Sequence, residues 1–76
     1  MNNYAAAVGK AIRALREERG LSQERLAELA GVHRTYVGGV ERGERNVTLN
    51  ALAKFADGLG VKPSEIVRRA DEERVN

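Results

Sequence analysis

The side chains best equipped for chemistry in this sequence are hydrogen-bond donors concentrated between residues 33 and 46. They are guanidinium, amide and hydroxyl groups, which bind anions and polar edges without making or breaking covalent bonds. The donors are Arg34, Thr35, Tyr36, Arg42, Arg45 and Asn46. This concentration predicts recognition of a surface that carries negative charge and hydrogen-bonding groups.

Residue types that support catalysis or metal binding are scarce. The sequence has one histidine, His33, and no cysteine, so neither a histidine cluster nor a thiolate site can form. No glycine-rich segment ends in Gly-Lys-Ser or Gly-Lys-Thr, the pattern that holds a nucleotide phosphate. We therefore expect no enzyme activity, no metal and no cofactor, and we expect His33 to cap a helix or face a phosphate.

Two short amphipathic segments, separated by a glycine, occupy residues 23–40. Ser22 is a good N-cap for the first segment, and Glu24 lies near the positive end of its dipole. Gly31 can adopt the left-handed conformation that ends one helix before the next begins. This pattern predicts a helix-turn-helix over about residues 22–43, whose second helix is normally the one that reads DNA.

A longer helix should precede this pair. It should begin after Asn2 or Asn3, either of which can cap it, and end at about Arg19, where Gly20 can terminate it. Its apolar residues recur at helical spacing and predict one buried face. These are Val8, Ala11, Ile12 and Leu15.

Two more helices should follow the pair. Thr48 is an N-cap type before an apolar segment that Gly60 ends, and Pro63 suits the first position of a fifth helix. Residues 71–76 are mostly charged and are expected to fray. The sequence thus predicts a single all-α domain, a compact bundle of five short helices.

The second helix of the pair has a defined outer face. If Val37 and Val40 point inward, then Thr35, Gly38, Gly39 and Arg42 point outward, with Arg34 beside them. The guanidinium group of Arg34 matches the O6 and N7 acceptors of guanine, and Thr35 can contact a base edge or a thymine methyl group.

Each polar residue near this face receives an expected role. Tyr36 lies between the two faces, so its ring can pack on the core while its hydroxyl reaches DNA. We expect base readout from Arg34, Thr35 and Tyr36. We expect contacts to the DNA backbone from Gln23, Arg42, Arg45 and Asn46.

Gly38 and Gly39 are unusual inside a helix, since each costs roughly 1 kcal/mol relative to alanine. Two interpretations remain open. Bare backbone would let the helix approach the DNA closely, or the helix would simply fray at its C-terminus.

Glu41 would oppose DNA binding if it were exposed. Its position next to Val40 allows it to face inward instead, paired with Arg16 of the first helix. Removing either partner of such a buried pair costs roughly 3 to 5 kcal/mol.

Composition agrees with a small binding module. The 76 residues are 42% hydrophobic and 32% charged, with a formal net charge of +2, which permits a polyanionic partner. A chain of this size has room for one modest core but not for a buried active site as well. No apolar run approaches a membrane span, no signal-like segment is seen, and we expect a cytoplasmic protein with no membrane partner.

Residues 15–66 resemble the Cro/CI-type (XRE-like) helix-turn-helix repressors, which have a lambda-repressor-like fold. The segment HRTYVGGVERGERNVT, residues 33–48, is more narrowly similar to the controller proteins of bacterial restriction-modification systems. Many relatives carry serine where this chain has Gly38. The resemblance implies a homodimer that binds near-palindromic operators and activates or represses its own gene and a neighbouring endonuclease gene.

The resemblance also implies a role for Glu24 and Glu28. Related phage activators place an acidic patch at these positions, on the exposed side of the first helix of the pair, where it touches the RNA polymerase sigma subunit. An ordinary solvated helix surface accounts for the same two residues.

A single recognition helix reads too few base pairs for selectivity in a genome, which favours a dimer. Helices four and five, over about residues 48–69, supply more apolar surface than one small core plainly needs. We assign the dimer interface to Phe55, Leu59, Val61, Ile66 and Val67. The alternative is that these residues close the monomer.

The rival to a DNA-binding regulator is a protein-interaction module on the same fold, such as the antitoxin of a toxin-antitoxin pair. An antitoxin usually needs an additional segment to hold its toxin, and residues 68–76 are short for that purpose.

Overall fold

The computed structural model describes residues 4–75, and this part of the chain forms five α-helices without strands. The helices are α1 (Tyr4–Glu18), α2 (Gln23–Ala30), α3 (Arg34–Glu41), α4 (Leu49–Leu59) and α5 (Pro63–Val75). The all-α fold class is confirmed. The predicted caps Asn2 and Asn3 lie outside the described residues. None of these five helices is long and apolar enough to span a membrane.

Local signals place the helix ends where the sequence predicts them. The Ser22 side chain accepts a hydrogen bond from the Arg25 amide at 3.0 Å, and Thr48 Oγ1 accepts one from the Ala51 amide at 3.1 Å. Gly31 has φ 72°, a left-handed conformation that ends α2 and frees the chain to turn into α3. The predicted helix-turn-helix is therefore present.

One apolar core holds the five helices together. α1 packs against α5 and α3, while α2 packs against α4 and α3. Phe55 and Ile12 are among the largest side chains that are fully buried. The other core residues are Ala7, Val8, Ala11, Leu15, Leu26, Ala27, Ala30, Val37, Val40, Ala56, Leu59, Ile66 and Ala70.

Close approach of α1 to α3 depends on Gly9. A Cβ atom at this position would lie 2.1 Å from the Val40 carbonyl oxygen, so any side chain would push the two helices apart. α3 is thereby held against α1 along its inner face.

The C-terminal helix differs from its prediction. α5 continues to Val75, beyond the predicted end at about residue 69, and the expected fraying of residues 71–76 stays a prediction. Tyr4 donates a hydrogen bond to Asp71 at 2.9 Å, and the guanidinium group of Arg74 lies over the Tyr4 ring at 4.9 Å. Contacts with α1, distant in sequence, therefore extend the helix.

The core absorbs more apolar surface than the sequence suggested. Phe55, Leu59 and Ile66, three of the five residues assigned to a dimer interface, are at most 3% exposed within one chain. They have almost no surface to offer a second copy, so their assignment is corrected to the monomer core. Val61 and Val67 are half-buried.

Candidate DNA-binding surface

α3 presents its polar side away from the core. Val37 and Val40 are fully buried, whereas Arg34 and Thr35 are exposed. The Tyr36 ring stacks on Phe55, with ring centroids 5.9 Å apart and an interplanar angle of 20°. The expected core packing of the Tyr36 ring is confirmed, and α3 carries its two exposed candidate base readers on a helix whose inner side is packed against the core.

Glu41, at the end of α3, faces the core and pairs with α1. Its Oε2 lies 2.7 Å from Arg16 Nε, and its Oε1 lies 3.1 Å from Arg16 Nη2. The hydrogen bond from Arg16 to Glu41 also raises the pKa of the arginine. The predicted inward pair is confirmed, and it withdraws one carboxylate from the outer face of α3.

Gln23 belongs to the same network. Its side-chain amide donates a hydrogen bond to Glu41 Oε1 at 3.0 Å. An amide nitrogen has two hydrogens, so the second can still reach a phosphate oxygen. Gln23 is also the first residue of α2, where backbone N–H groups lack partners within the helix and the helix dipole favours an anion.

The exposed arginines meet carboxylates at the surface. Arg42 Nε lies 3.1 Å from Glu44 Oε2, and this hydrogen bond raises the pKa of Arg42 and lowers that of Glu44. Arg34 Nη1 lies 3.7 Å from Glu24 Oε1. Exposed pairs of this kind contribute little stability. Both guanidinium groups can therefore exchange these carboxylates for another anion.

The chain after α3 turns back toward the helix. Gly43 has φ 77°, and the Glu44 amide donates a hydrogen bond to the Gly39 carbonyl oxygen at 2.9 Å. This turn returns Arg45 to α3, so residues from the loop and from the helix share one surface. Asn46, the last predicted backbone contact, follows in this loop and is exposed.

Two interpretations were open for Gly38 and Gly39, and the structure shows neither a bare backbone nor a frayed helix end at these positions. Both glycines are buried and lie within α3, so the helix does not fray before them. The side chains of Arg42 and Arg45 cover them. The sequence pattern placed the glycines on the outer side of α3 but contained no signal for this covering layer.

His33 occupies the N-cap position of α3 but makes no side-chain capping hydrogen bond, so that part of its prediction is wrong. Its imidazole is exposed at a cleft of about 500 Å³ between α2 and α3. The cleft is lined by Glu24, Ala27, Glu28, Gly31, Val32, His33 and Arg34. Among the residues that the structure describes, no group of three or more potential metal ligands is found.

A family model described as helix-turn-helix matches residues 12–66, from the middle of α1 to the first turn of α5. The chain belongs to the helix-turn-helix family. The match includes α2, the turn at Gly31 and α3, which form the surface described above.

Several members of this helix-turn-helix family are similar over most of the chain. Control protein C.SmaI of Serratia marcescens is 48% identical over 76% of this chain and 69% of its own length. Control protein C.BamHI of Bacillus amyloliquefaciens is 39% identical, covering 87% of this chain and 83% of the relative.

Solved structures show the same fold. The restriction-modification controller protein C.AhdI of Aeromonas hydrophila superposes with a TM-score of 0.80 at 50% identity, covering 82% of this chain and 94% of that chain. The controller protein C.Esp1396I, solved as a tetramer in complex with its natural 35 base-pair operator, superposes over both full chains with a TM-score of 0.90 at 30% identity.

Proposed function

We propose that this protein is a sequence-specific, double-stranded DNA-binding regulator of transcription, the controller of a restriction-modification system. The observation that carries the proposal is the division of charge on α3. Glu41 is withdrawn toward Arg16, while Arg34 and Thr35 stay exposed on the outer side. The similarity to control proteins supports the controller role.

In this proposal α3 enters the major groove. Arg34 and Thr35 contact base edges, and Tyr36, supported by Phe55, reaches a base or base step with its hydroxyl. A helix in this groove needs anchors on either side to fix its register. The proposed anchors on the DNA backbone are Gln23 at the start of α2 and Arg42, Arg45 and Asn46 beyond α3.

We propose a homodimer as the binding unit, acting in the cytoplasm. Two copies of α3 must lie about 34 Å apart to read successive major grooves on one side of the duplex. Leu49, at the start of α4, is 84% exposed, more than other large apolar residues of the described chain. We add Leu49 to the half-buried Val61 and Val67 as candidate contacts for a second copy.

Activation of transcription, unlike repression by blocking a promoter, calls for a contact with the transcription machinery. Glu24 and Glu28 lie one turn apart on α2, and their side chains are 75% and 71% exposed. These carboxylates suit a basic surface, and the sigma subunit of RNA polymerase is the proposed partner. When Arg34 binds DNA it would release Glu24, and the freed carboxylate would add negative charge to the surface that faces the polymerase.

Selection of bound duplexes from a random pool tests the proposal. We expect recovery of a dyad-symmetric site whose affinity exceeds that of a scrambled duplex by roughly 1,000-fold or more. Affinity for the scrambled duplex should fall steeply with salt, since each neutralised phosphate releases counterions. Recovery of no consensus, together with salt-independent binding, would instead favour a protein-interaction module.

A further inference from the structure

The two adjacent glycines in the middle of α3 stand where glycine is a poor choice for helix formation. They occupy the fifth and sixth of its eight positions. Neither has the positive φ that would require glycine, since the positive-φ residues are Gly20, Gly31, Gly43 and Gly60. Backbone conformation therefore does not require glycine at either position, and the space beside each one has to be considered instead.

At Gly38 the contact is with a guanidinium group. A Cβ atom there would lie 3.0 Å from Arg42 Nη1 and 3.7 Å from Gln23 Oε1. The arginine head thus lies against the helix in the space that a side chain would take. Both neighbouring groups belong to residues proposed to hold the DNA backbone.

At Gly39 the contact is with the stem of a second arginine. A Cβ atom there would lie 3.1 Å from Arg45 Cγ and 3.6 Å from Arg45 Nε. Arg45 reaches this place because the Gly43 turn directs the chain back, with Glu44 bonded to the Gly39 carbonyl. Each glycine is thus covered by the side chain of one arginine, Gly38 by Arg42 and Gly39 by Arg45.

We propose that Gly38 and Gly39 form a seat, which positions the side chains of Arg42 and Arg45 against the outer side of α3 before DNA arrives. The proposal rests on the DNA-binding function above. Holding a long side chain in its bound position reduces the entropy lost on binding. The glycines are positioning residues, because they act through the arginines and need not touch DNA.

The seat predicts opposite changes in stability and affinity for one substitution. Alanine is the better helix former, and the side chains that its Cβ would meet can swing away, so Gly39→Ala should raise Tm by roughly 4 °C. Displacement of Arg45 should lower operator affinity by about 5-fold, because part of one charge-assisted hydrogen bond to DNA is lost. Gly38→Ala should act in the same way through Arg42.

A double-variant cycle tests this mechanism on the full chain. The probes are the duplex recovered by selection and a random-sequence duplex of the same length. Operator affinity is measured for Gly39→Ala, for Arg45→Ala and for the variant that carries both substitutions. We expect the alanine at residue 39 to cost affinity only while Arg45 is present. Gly38→Ala with Arg42→Ala provides an independent second cycle.

Asp57→Ala is the matched control. Asp57 is exposed near the C-terminus of α4, where a negative charge opposes the helix dipole, so this variant should gain stability without touching the seat. Its operator affinity should not fall, since the loss of a negative charge does not disfavour DNA. A loss equal to that of Gly39→Ala would show that stiffening alone lowers affinity, which overturns the seat.

Failure of the seat and failure of the DNA-binding function give different results. If the chain binds neither duplex, the DNA-binding function is wrong. If Arg45→Ala and Arg42→Ala weaken binding but the alanines at 38 and 39 do not, the seat alone is wrong. A cost that persists after the arginines are removed, or a fall in Tm for both glycine variants, also overturns it.

Discussion

Arg16 and Glu41 form a two-bond ion pair that joins the end of α3 to α1, with side chains only 12% and 3% exposed. The same arginine donates to the Leu21 carbonyl oxygen at 2.8 Å, and Gln23 donates to the same carboxylate. One pair thus links α1, the start of α2 and the end of α3. It fixes the orientation of the recognition helix relative to the rest of the domain.

Glu41→Gln is expected to destabilise the fold by about 3 kcal/mol, because it leaves the Arg16 charge buried without a counter-charge. Urea denaturation measures the loss. Arg13→Ala is the control, since its pair with Glu17 is 62% and 56% exposed and should contribute less than about 1 kcal/mol.

A double variant keeps this prediction testable if Glu41→Gln does not fold. Arg16→Met with Glu41→Leu leaves no unpaired buried charge, although Gln23 and the Leu21 carbonyl oxygen each lose a partner, so it should fold and be more stable than Glu41→Gln. Equal stability of Glu41→Gln and Arg13→Ala would contradict the importance of burial.

Local chemistry made much of this fold predictable. Four helix ends can be recognised from residue type alone, and all four are found as expected. They are the N-caps Ser22 and Thr48 and the C-caps Gly31 and Gly60. The inward turn of Glu41 followed from its place beside Val40 on a helix.

Features that depend on distant residues were not predictable from pattern. Tyr4 and Asp71, whose contact helps to extend α5, are 67 residues apart in the sequence. Gly9 leaves room for the Val40 carbonyl oxygen where α1 crosses α3. The capacity of the core was also underestimated, since it encloses Phe55 completely. The arginine layer over Gly38 and Gly39 depends on side-chain conformations that sequence spacing does not specify.

Arg34→Ala is expected to weaken binding to the selected operator by roughly 1 to 3 kcal/mol and to relax the preference at one guanine. Binding assays against operators with single base-pair changes measure this. Arg45→Ala is the comparison, and it should weaken binding to all sequences alike because its proposed contact is with phosphate. A uniform loss from Arg34→Ala would remove its assignment to base readout.

A homodimer should be seen by sedimentation velocity at micromolar concentration, and Leu49→Lys should shift it toward monomer. Burying a leucine contributes roughly 1.5 to 3 kcal/mol, so the dimer dissociation constant should rise by about 10-fold or more. Leu29→Lys, at a 43% exposed leucine on α2, is the matched control and should leave the dimer intact. Monomer at operator-saturating concentration in the unaltered protein would refute the dimer.

Glu18→Gln is expected to lower Tm slightly at pH 7, because the hydrogen bond from Arg69 lowers the pKa of Glu18 below 4.5. A lowered pKa in the folded state stabilises the protein above 4.5, and that contribution disappears as pH falls through the folded-state value. The two Tm values should converge in acid, and high salt should reduce the difference at pH 7. A difference that persists at low pH would indicate lost packing instead of lost charge.

Gly9→Ala is expected to destabilise the fold by about 3 kcal/mol, the upper range for overpacking, because its Cβ would lie 2.1 Å from a backbone oxygen that cannot swing aside. The same substitution at Gly39 meets only a flexible arginine, so the two variants should shift the urea midpoint in opposite directions. Because the Val40 carbonyl belongs to α3, Gly9→Ala should also displace the recognition helix and weaken operator binding. A Gly9→Ala protein of unchanged stability would mean that α1 and α3 can separate freely, which would also remove the basis for a rigidly held reading surface.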